Sequence, residues 1–243
     1  MIPNPEPFAK LFHQGMVLGP DGRKMSKRRG NVITPQEVAE RYSADAFRVY
    51  VMFMGPLEGE KARSDTALQG VKRFLDRVER MQEFVGEHTN DTIDIALHKA
   101  IQGVTDDIEK LKLNTAVSKM MIFVNEVYEH KTITRVQLLT FSQLLAPYAT
   151  KLSQQMWEKH GGEGSVHYAT RPTFDPAKTI DTQINLPVQI NGKMKGTIAI
   201  SPTASQEEVL SQLHKDDKFA SSLTGEIKKI IFVPGKIINL IVG

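Results

Sequence analysis

The sequence predicts a multidomain, mainly α chain: a leading segment with a basic loop, an antiparallel helical bundle, and a small α+β (ββαββ) domain. Three observations carry this. Apolar residues recur at three- and four-residue spacing from about Ser64 to Gly161, the period of helices with one buried face. Beyond residue 183 the pattern becomes two β-runs joined at Asn191-Gly192, a strong hairpin signal. Near the start, five of the seven residues from Arg23 to Arg29 are cationic, with Gly22 and Gly30 on either side. The boundaries that follow are 1–62, 63–172 and 173–243.

Composition excludes several classes. The 243 residues are 40% hydrophobic and 24% charged, with net charge +3, which is ordinary for a soluble globular protein of two or three small domains. There is no cysteine, so disulfides, thiolate metal sites and a cysteine nucleophile are excluded. No apolar run approaches the ~20 residues of a membrane span, and Met1-Ile2-Pro3-Asn4-Pro5 lacks the pattern of a signal peptide. A cytoplasmic protein without a membrane partner is expected. The seven histidines show no ligand spacing, so no protein-bound metal is expected.

In chain order, Phe8-Ala9-Lys10-Leu11-Phe12 reads as a short amphipathic turn or helix. Met16-Val17-Leu18 reads as a strand closed by the turn Gly19-Pro20-Asp21-Gly22. One short strand needs a sheet, and nothing before it supplies one, so the chain is expected to begin inside a larger domain with an unpaired edge. Thr34-Pro35-Gln36-Glu37 is a capping box with proline at the first helical position. Ser43 caps a second helix that carries Ala46, Val49, Tyr50 and Phe53 on one face and stops at Gly55-Pro56.

Four bundle helices follow. The first starts at Ser64-Asp65 and carries Leu68, Val71, Leu75, Val78 and Val85. The second starts near Asp91, and the third at Asn114 as N-cap. The fourth opens at Thr134-x-x-Gln137, is kinked or restarted at Pro147, and runs to Trp157, which reads as core. Residues 171–176 read as a linker. In the last domain, hairpins at Asn191-Gly192 and Pro234-Gly235 flank a helix opened by the capping box at Ser205-Gln206-Glu207-Glu208.

The basic loop is too charged to bury, so it must face water or an anion. Its glycines permit sharp turns, and its lysines are mobile point charges suited to a phosphate that gains charge during a reaction. Asn31 after Gly30 reads as a residue that shapes the turn.

Gly22-x-Lys24-Met25-Ser26-Lys27-x-x-Gly30-Asn31 resembles the Lys-Met-Ser-Lys-Ser loop of class I aminoacyl-tRNA synthetases. Several other segments resemble leucyl-tRNA synthetase: Gly15-Met16-Val17-Leu18, Arg63-Ser64-Asp65, Asn114-Thr115-Ala116-Val117, Leu144-Leu145-Ala146-Pro147-Tyr148, Val188-Gln189-Ile190-Asn191-Gly192-Lys193 and Val233-Pro234-Gly235-Lys236. The likeness runs over nearly the whole chain in the family's order. Two departures stand out: Arg28 occupies the last signature position, and Arg63 stands where the family usually has tryptophan.

The resemblance implies the end of a class I catalytic domain, an anticodon-binding bundle and a carboxy-terminal tRNA-binding domain. It implies a leucine–tRNA ligase in which Lys24 and Lys27 are catalytic and Lys24, Met25, Ser26 and Lys27 bind ATP, with Mg²⁺ carried by the phosphates. The implied partners are tRNA(Leu) and a chain or segment with the nucleotide-binding and editing domains, whose His-x-Gly-His motif is absent here. Without that half the chain is expected to be inactive. The alternative is a non-catalytic tRNA-binding module. Arg73, Arg77 and Arg80 fall on one helix side at i, i+4 and i+7, which suits RNA phosphates or a solvated face paired with Asp76, Glu79 and Glu83. Lys193, Lys195, Lys228, Lys229 and Lys236 suit RNA or a soluble sheet surface, and strand alternation puts Lys193 and Lys195 on one face.

Overall fold

The computed structural model describes residues 8, 10–32, 34–88, 90–179, 184–220, 225 and 227–243. They divide into two compact units, Met1–Thr179 and Ile180–Gly243. The first contains β1 (Val17–Leu18), α1 (Pro35–Tyr42), α2 (Ala44–Phe53), β2 (Lys61–Ala62), α3 (Asp65–Arg80), β3 (Val85–Gly86), α4 (Asp91–Glu109), α5 (Leu113–His130), β4 (Ile133–Thr134), α6 (Arg135–Leu145) and α7 (Thr150–Lys159). The second contains β5 (Ile184–Ile190), β6 (Lys193–Ile200), α8 (Gln206–Lys215), α9 (Asp217–Ala220), β7 (Ile227–Val233) and β8 (Ile237–Val242).

The strand β1 is not left open. It pairs in parallel with β2, from further along the chain, and Leu18 also forms an antiparallel bridge to Lys24. The expectation of an unpaired edge is therefore corrected: one neighbour comes from the local turn at Lys24 and the other from the distant strand β2. Residues 10–12 are irregular rather than helical, and Ala9 lies outside the described residues.

Local signals set most helix starts. Thr34 and Thr134 form complete capping boxes on α1 and α6, and Ser43 and Ser64 cap α2 and α3 through their hydroxyls. Asn114 does not cap α5; it lies inside the helix, whose N-cap is Lys112 with no side-chain bond. Val85 has left α3. After a 3-10 turn at Met81–Phe84 it pairs with Ile133, so β3 and β4 tie two bundle connections together.

Leu68, Val71, Phe74, Leu75 and Val78 of α3 are buried in one core with Ile101 and Val104 of α4, Val117, Met120, Phe123 and Val124 of α5, Leu138 and Phe141 of α6, and Met156 of α7. Each such burial contributes about 1.5–3 kcal/mol. Five helices build the bundle, because the turn at residues 146–149 restarts the chain as α7. Trp157 is half-buried at the end of α7, where its indole donates to the Glu163 carbonyl at 3.2 Å, so it caps the bundle end instead of filling the core. Residues 171–176 are not a loose tether: Phe174 packs on the core, and the Asp175 amide donates to His98 at 3.0 Å.

Two side chains fasten α2 to the bundle. The buried Asp45 carboxylate accepts from the Leu152 amide at 2.8 Å, the Lys151 amide at 3.2 Å and the Thr150 hydroxyl at 3.4 Å, so α7 is capped from α2. Arg48 donates to the Pro147 carbonyl at 2.9 Å.

In the second unit the sheet order is β6-β5-β8-β7, with a parallel β5–β8 pair joining two antiparallel hairpins. Asn191 and Gly192 have φ of 51° and 76°, as a two-residue primed turn requires. Ser205 completes a capping box on α8, and the short α9 follows it before the second hairpin. Glu226, expected to open the second hairpin, lies outside the described residues. Val209, Leu213 and Phe219 cover the sheet residues Leu186, Val188, Ile198, Ile238 and Leu240.

Candidate functional site

The cationic loop is built from its two ends. The turn after β1 closes with the Gly22 amide on the Gly19 carbonyl at 3.0 Å and the Gly19 amide on the Arg23 carbonyl at 2.8 Å. Lys27–Arg29 form a 3-10 turn that ends at Gly30. Gly22 and Gly30 have φ of 68° and 65°, left-handed conformations that glycine adopts without a Cβ penalty.

Asn31 joins the halves. Its carboxamide oxygen accepts from the Ser26 amide at 2.8 Å, and its nitrogen donates to both Asp21 carboxylate oxygens at 3.2 Å and to the Lys24 carbonyl at 3.4 Å. The Asn31 hydrogen bond holds the Asp21 carboxyl below the ordinary carboxylate range, helped by the Arg23 amide. Asn31 therefore shapes the turn, and does so through a side-chain clamp.

Lys24, Lys27, Arg28 and Arg29 are all exposed, and among the described residues none has a carboxylate partner. Lys24, Met25, Ser26, Arg28 and Arg29 line a shallow concavity, and Lys27 stands between two of these residues without lining it. The Ser26 hydroxyl makes no cap bond. Four unneutralised cations beside an open hollow match the charge and reach of a polyphosphate. Among the described residues no group of three His, Asp or Glu is arranged to hold a metal ion, and no helix is long and apolar enough to cross a membrane.

The loop is coupled to α3. The Arg63 amide donates to the Leu18 carbonyl at 3.2 Å, and the next amide, of Ser64, donates to the Tyr50 hydroxyl at 2.8 Å. The Arg63 side chain is only 9% exposed. One nitrogen meets Asp65 at 2.6 Å, while Nε and Nη1 are buried without a partner. An indole at this position would carry fewer donors into the same site.

The arginine stripe on α3 is not uniform. Arg73 is exposed without a partner among the described residues, and Arg80 Nε folds back onto the Asp76 carbonyl at 3.2 Å. Arg77 turns onto α5: it donates to Asn125 at 2.8 Å, and its guanidinium lies 4.4 Å from the Tyr128 ring centroid. Lys72 pairs with Asp76.

Lys193 and Lys195 lie on β6 and Lys228 and Lys229 on β7, the two edge strands, while Lys236 sits in the second hairpin turn; all five are exposed. The β5–β6 register shifts so that Gln189 faces Met194 and Val188 faces Gly196, leaving Lys195 as the extra residue of a bulge. Strict alternation therefore does not carry from Lys193 to Lys195. Lys228 occupies the equivalent place on β7. Edge lysines and bulges both discourage strand-to-strand association, so these residues already have a structural use.

Known protein families match these same segments. The model described as "tRNA synthetases class I (I, L, M and V)" matches residues 1–63, which hold the loop. The model "Anticodon-binding domain of tRNA ligase" matches residues 91–210. The whole chain aligns with leucine–tRNA ligase of Bdellovibrio bacteriovorus at 42% identity over 250 aligned positions and with that of Alkaliphilus oremlandii at 40% over 245.

Over its whole length the chain is similar to one portion of the leucine–tRNA ligases.

It spans about 30% of the length of those relatives. A solved LeuRS from Agrobacterium radiobacter K84, in a ternary complex with tRNA and LeuAMS, matches 98% of this chain and 34% of its own at 32% identity, with a TM-score of 0.73. Of these features, sequence reasoning found the loop. It missed the Asp21–Asn31 clamp, the buried Arg63 guanidinium and the Asp45 cap, because each depends on a contact that residue spacing does not announce.

Proposed function

We propose that this chain supplies the ATP-closing loop and the tRNA-binding parts of a leucine–tRNA ligase, which activates leucine with ATP and transfers it to tRNA(Leu). The observation that carries this is the loop itself: exposed, unneutralised cations held in one shape by Asn31. Whole-chain similarity to leucine–tRNA ligases supports it.

In this proposal Lys24, Met25, Ser26 and Lys27 bind ATP, and Lys24 and Lys27 face the phosphates. Their charge offsets what develops on the leaving pyrophosphate, and holding the loop in advance lowers the reorganisation needed at that moment. Mg²⁺ arrives with the nucleotide and keeps most of its ligands from phosphate and water. Residues 1–62 serve as the end of the catalytic domain, 63–172 as the anticodon-binding bundle, and 173–243 as the ββαββ tRNA-binding domain, with α9 extending its helical layer.

For tRNA, Arg73 and Arg80 present guanidinium nitrogens to phosphate, and Arg77 joins them only by releasing Asn125. Lys193, Lys195, Lys228, Lys229 and Lys236 add sequence-independent phosphate contacts. The remaining catalytic and editing parts come from a further segment or partner, and the assembled enzyme works in the cytoplasm.

The test is Lys27→Ala in the assembled enzyme. Adenylate formation falls by about 10²–10³, as for loss of one preorganised charge, while tRNA affinity holds. Equal losses in both would refute the assignment of Lys27 to the phosphates.

A further inference from the structure

One exposed aromatic has no use in the fold. Tyr168 is 92% exposed, the most exposed large apolar or aromatic side chain among the described residues, yet its backbone is tightly held. It ends a 3-10 turn, Val166–Tyr168, whose N-cap Ser165 accepts from the His167 amide. Val166 is buried, and its amide donates to the Gln154 carboxamide of α7 at 3.0 Å. The Tyr168 amide returns to the Ser165 carbonyl at 3.0 Å. On the following side, Gln143 of α6 donates to the Thr170 carbonyl at 3.0 Å, and Arg171 Nε donates to the Thr105 hydroxyl of α4 at 3.3 Å. The segment displays a ring on a backbone anchored at both ends.

The same segment borders a concavity of about 230 Å³ whose polar lining is Gln143, His167 and Arg171 on an otherwise apolar wall that includes Val104, Ile108 and Leu144; Tyr168 itself does not line it. Tyr168 stands in sequence between two of these lining residues. The Arg171 terminal nitrogens have no partner among the described residues, and His167 is exposed. Within five residues the segment thus presents an exposed imidazole, an exposed aromatic ring and a guanidinium fixed through Nε. An aromatic ring presented to water three residues from an arginine fork suits an unstacked base and its phosphate. An apolar protein surface would leave the guanidinium without a counter-charge.

We infer that Tyr168, with Arg171, His167 and Gln143, forms a site for one unpaired RNA nucleotide, the base stacking on Tyr168 and the phosphate meeting Arg171. This rests on the tRNA-binding reading above and assigns that reading a specific contact. Rigid anchoring matters here because a ring fixed before binding loses little conformational freedom on stacking.

The experiment uses the full chain and fluorescence anisotropy with two probes: a tRNA(Leu) transcript and a single-stranded RNA oligonucleotide. Tyr168→Ala is expected to weaken both by roughly 5- to 150-fold, the range for loss of one base stack, with an unchanged salt slope. Tyr168→Phe is expected to retain affinity. Arg171→Ala is expected to weaken both and lower the salt slope by about 1. Full affinity in Tyr168→Ala, with the wild type binding tRNA, overturns this site and leaves the tRNA reading standing. A wild type that binds neither probe overturns both. Because Tyr168 is in solvent, its substitution leaves the core intact, and an unchanged melting curve checks this.

Discussion

Replacing Asn31 by alanine removes the one side chain that touches both halves of the cationic loop. It breaks the bond from the Ser26 amide at 2.8 Å and the paired donation to the Asp21 carboxylate at 3.2 Å. The 3.4 Å contact to the Lys24 carbonyl adds little at that length. The Asp21 bonds are in open solvent, so the part-buried Ser26 bond sets the magnitude, and a neutral hydrogen bond contributes about 1 kcal/mol net. That is roughly 5-fold in the opening equilibrium of the loop. Amide hydrogen exchange reads this directly: the Ser26 amide should exchange roughly 5-fold faster in Asn31→Ala, while amides of α3 to α7 keep their rates. The Asp21 carboxyl should also titrate higher, because the bond from Asn31 is the largest influence lowering it. Unchanged Ser26 exchange together with an unmoved Asp21 titration would refute the clamp.

Two further substitutions test how the loop region is joined to the bundle. Asp45→Ala leaves the first amides of α7 without their acceptor and should cost about 2–3 kcal/mol in urea unfolding, whereas Asp45→Asn, which keeps one acceptor oxygen, should cost less; equal stability of all three proteins would contradict the cap. Arg63→Met removes two buried, unpartnered guanidinium nitrogens, and it loses an ion pair to an Asp65 carboxylate that is 55% exposed and a weaker attraction to the exposed Glu37 carboxylate. It should raise the urea midpoint by an amount corresponding to about 1–2 kcal/mol, and a lower midpoint would show that the charge has a partner in solution.

The sequence made the local elements legible because short-range chemistry decides them. Thr34, Thr134 and Ser205 announce their helices three residues ahead through Glu37, Gln137 and Glu208, and Asn191-Gly192 announces its hairpin. The loop was legible for a similar reason: its charge density and its glycines are contiguous. Distant partners were not. Nothing in Val17–Leu18 points to Lys61–Ala62 as its neighbour, 44 positions along in the Val17↔Lys61 pair. Apolar spacing placed Val85 on α3 because a residue facing the core has the same character in a helix and in a short strand. Alternation placed Lys193 and Lys195 together, and the bulge at Lys195 interrupts that alternation. Arg77 reads in the sequence as a phosphate ligand or a solvated cation paired along its own helix, and becomes a clamp on α5 only once Asn125 and Tyr128 are beside it.

If the loop works in leucine activation, it does so once the rest of a leucine–tRNA ligase is present. Leucylation of tRNA(Leu) should therefore be measured for this chain mixed with, or joined to, the remaining portion of a relative, with Lys27→Ala alongside. Charging that requires this chain, and that falls by about 10²–10³ in Lys27→Ala, is the predicted result. Tight tRNA binding with no charging in the assembled protein, or full charging with Lys27→Ala, would contradict it.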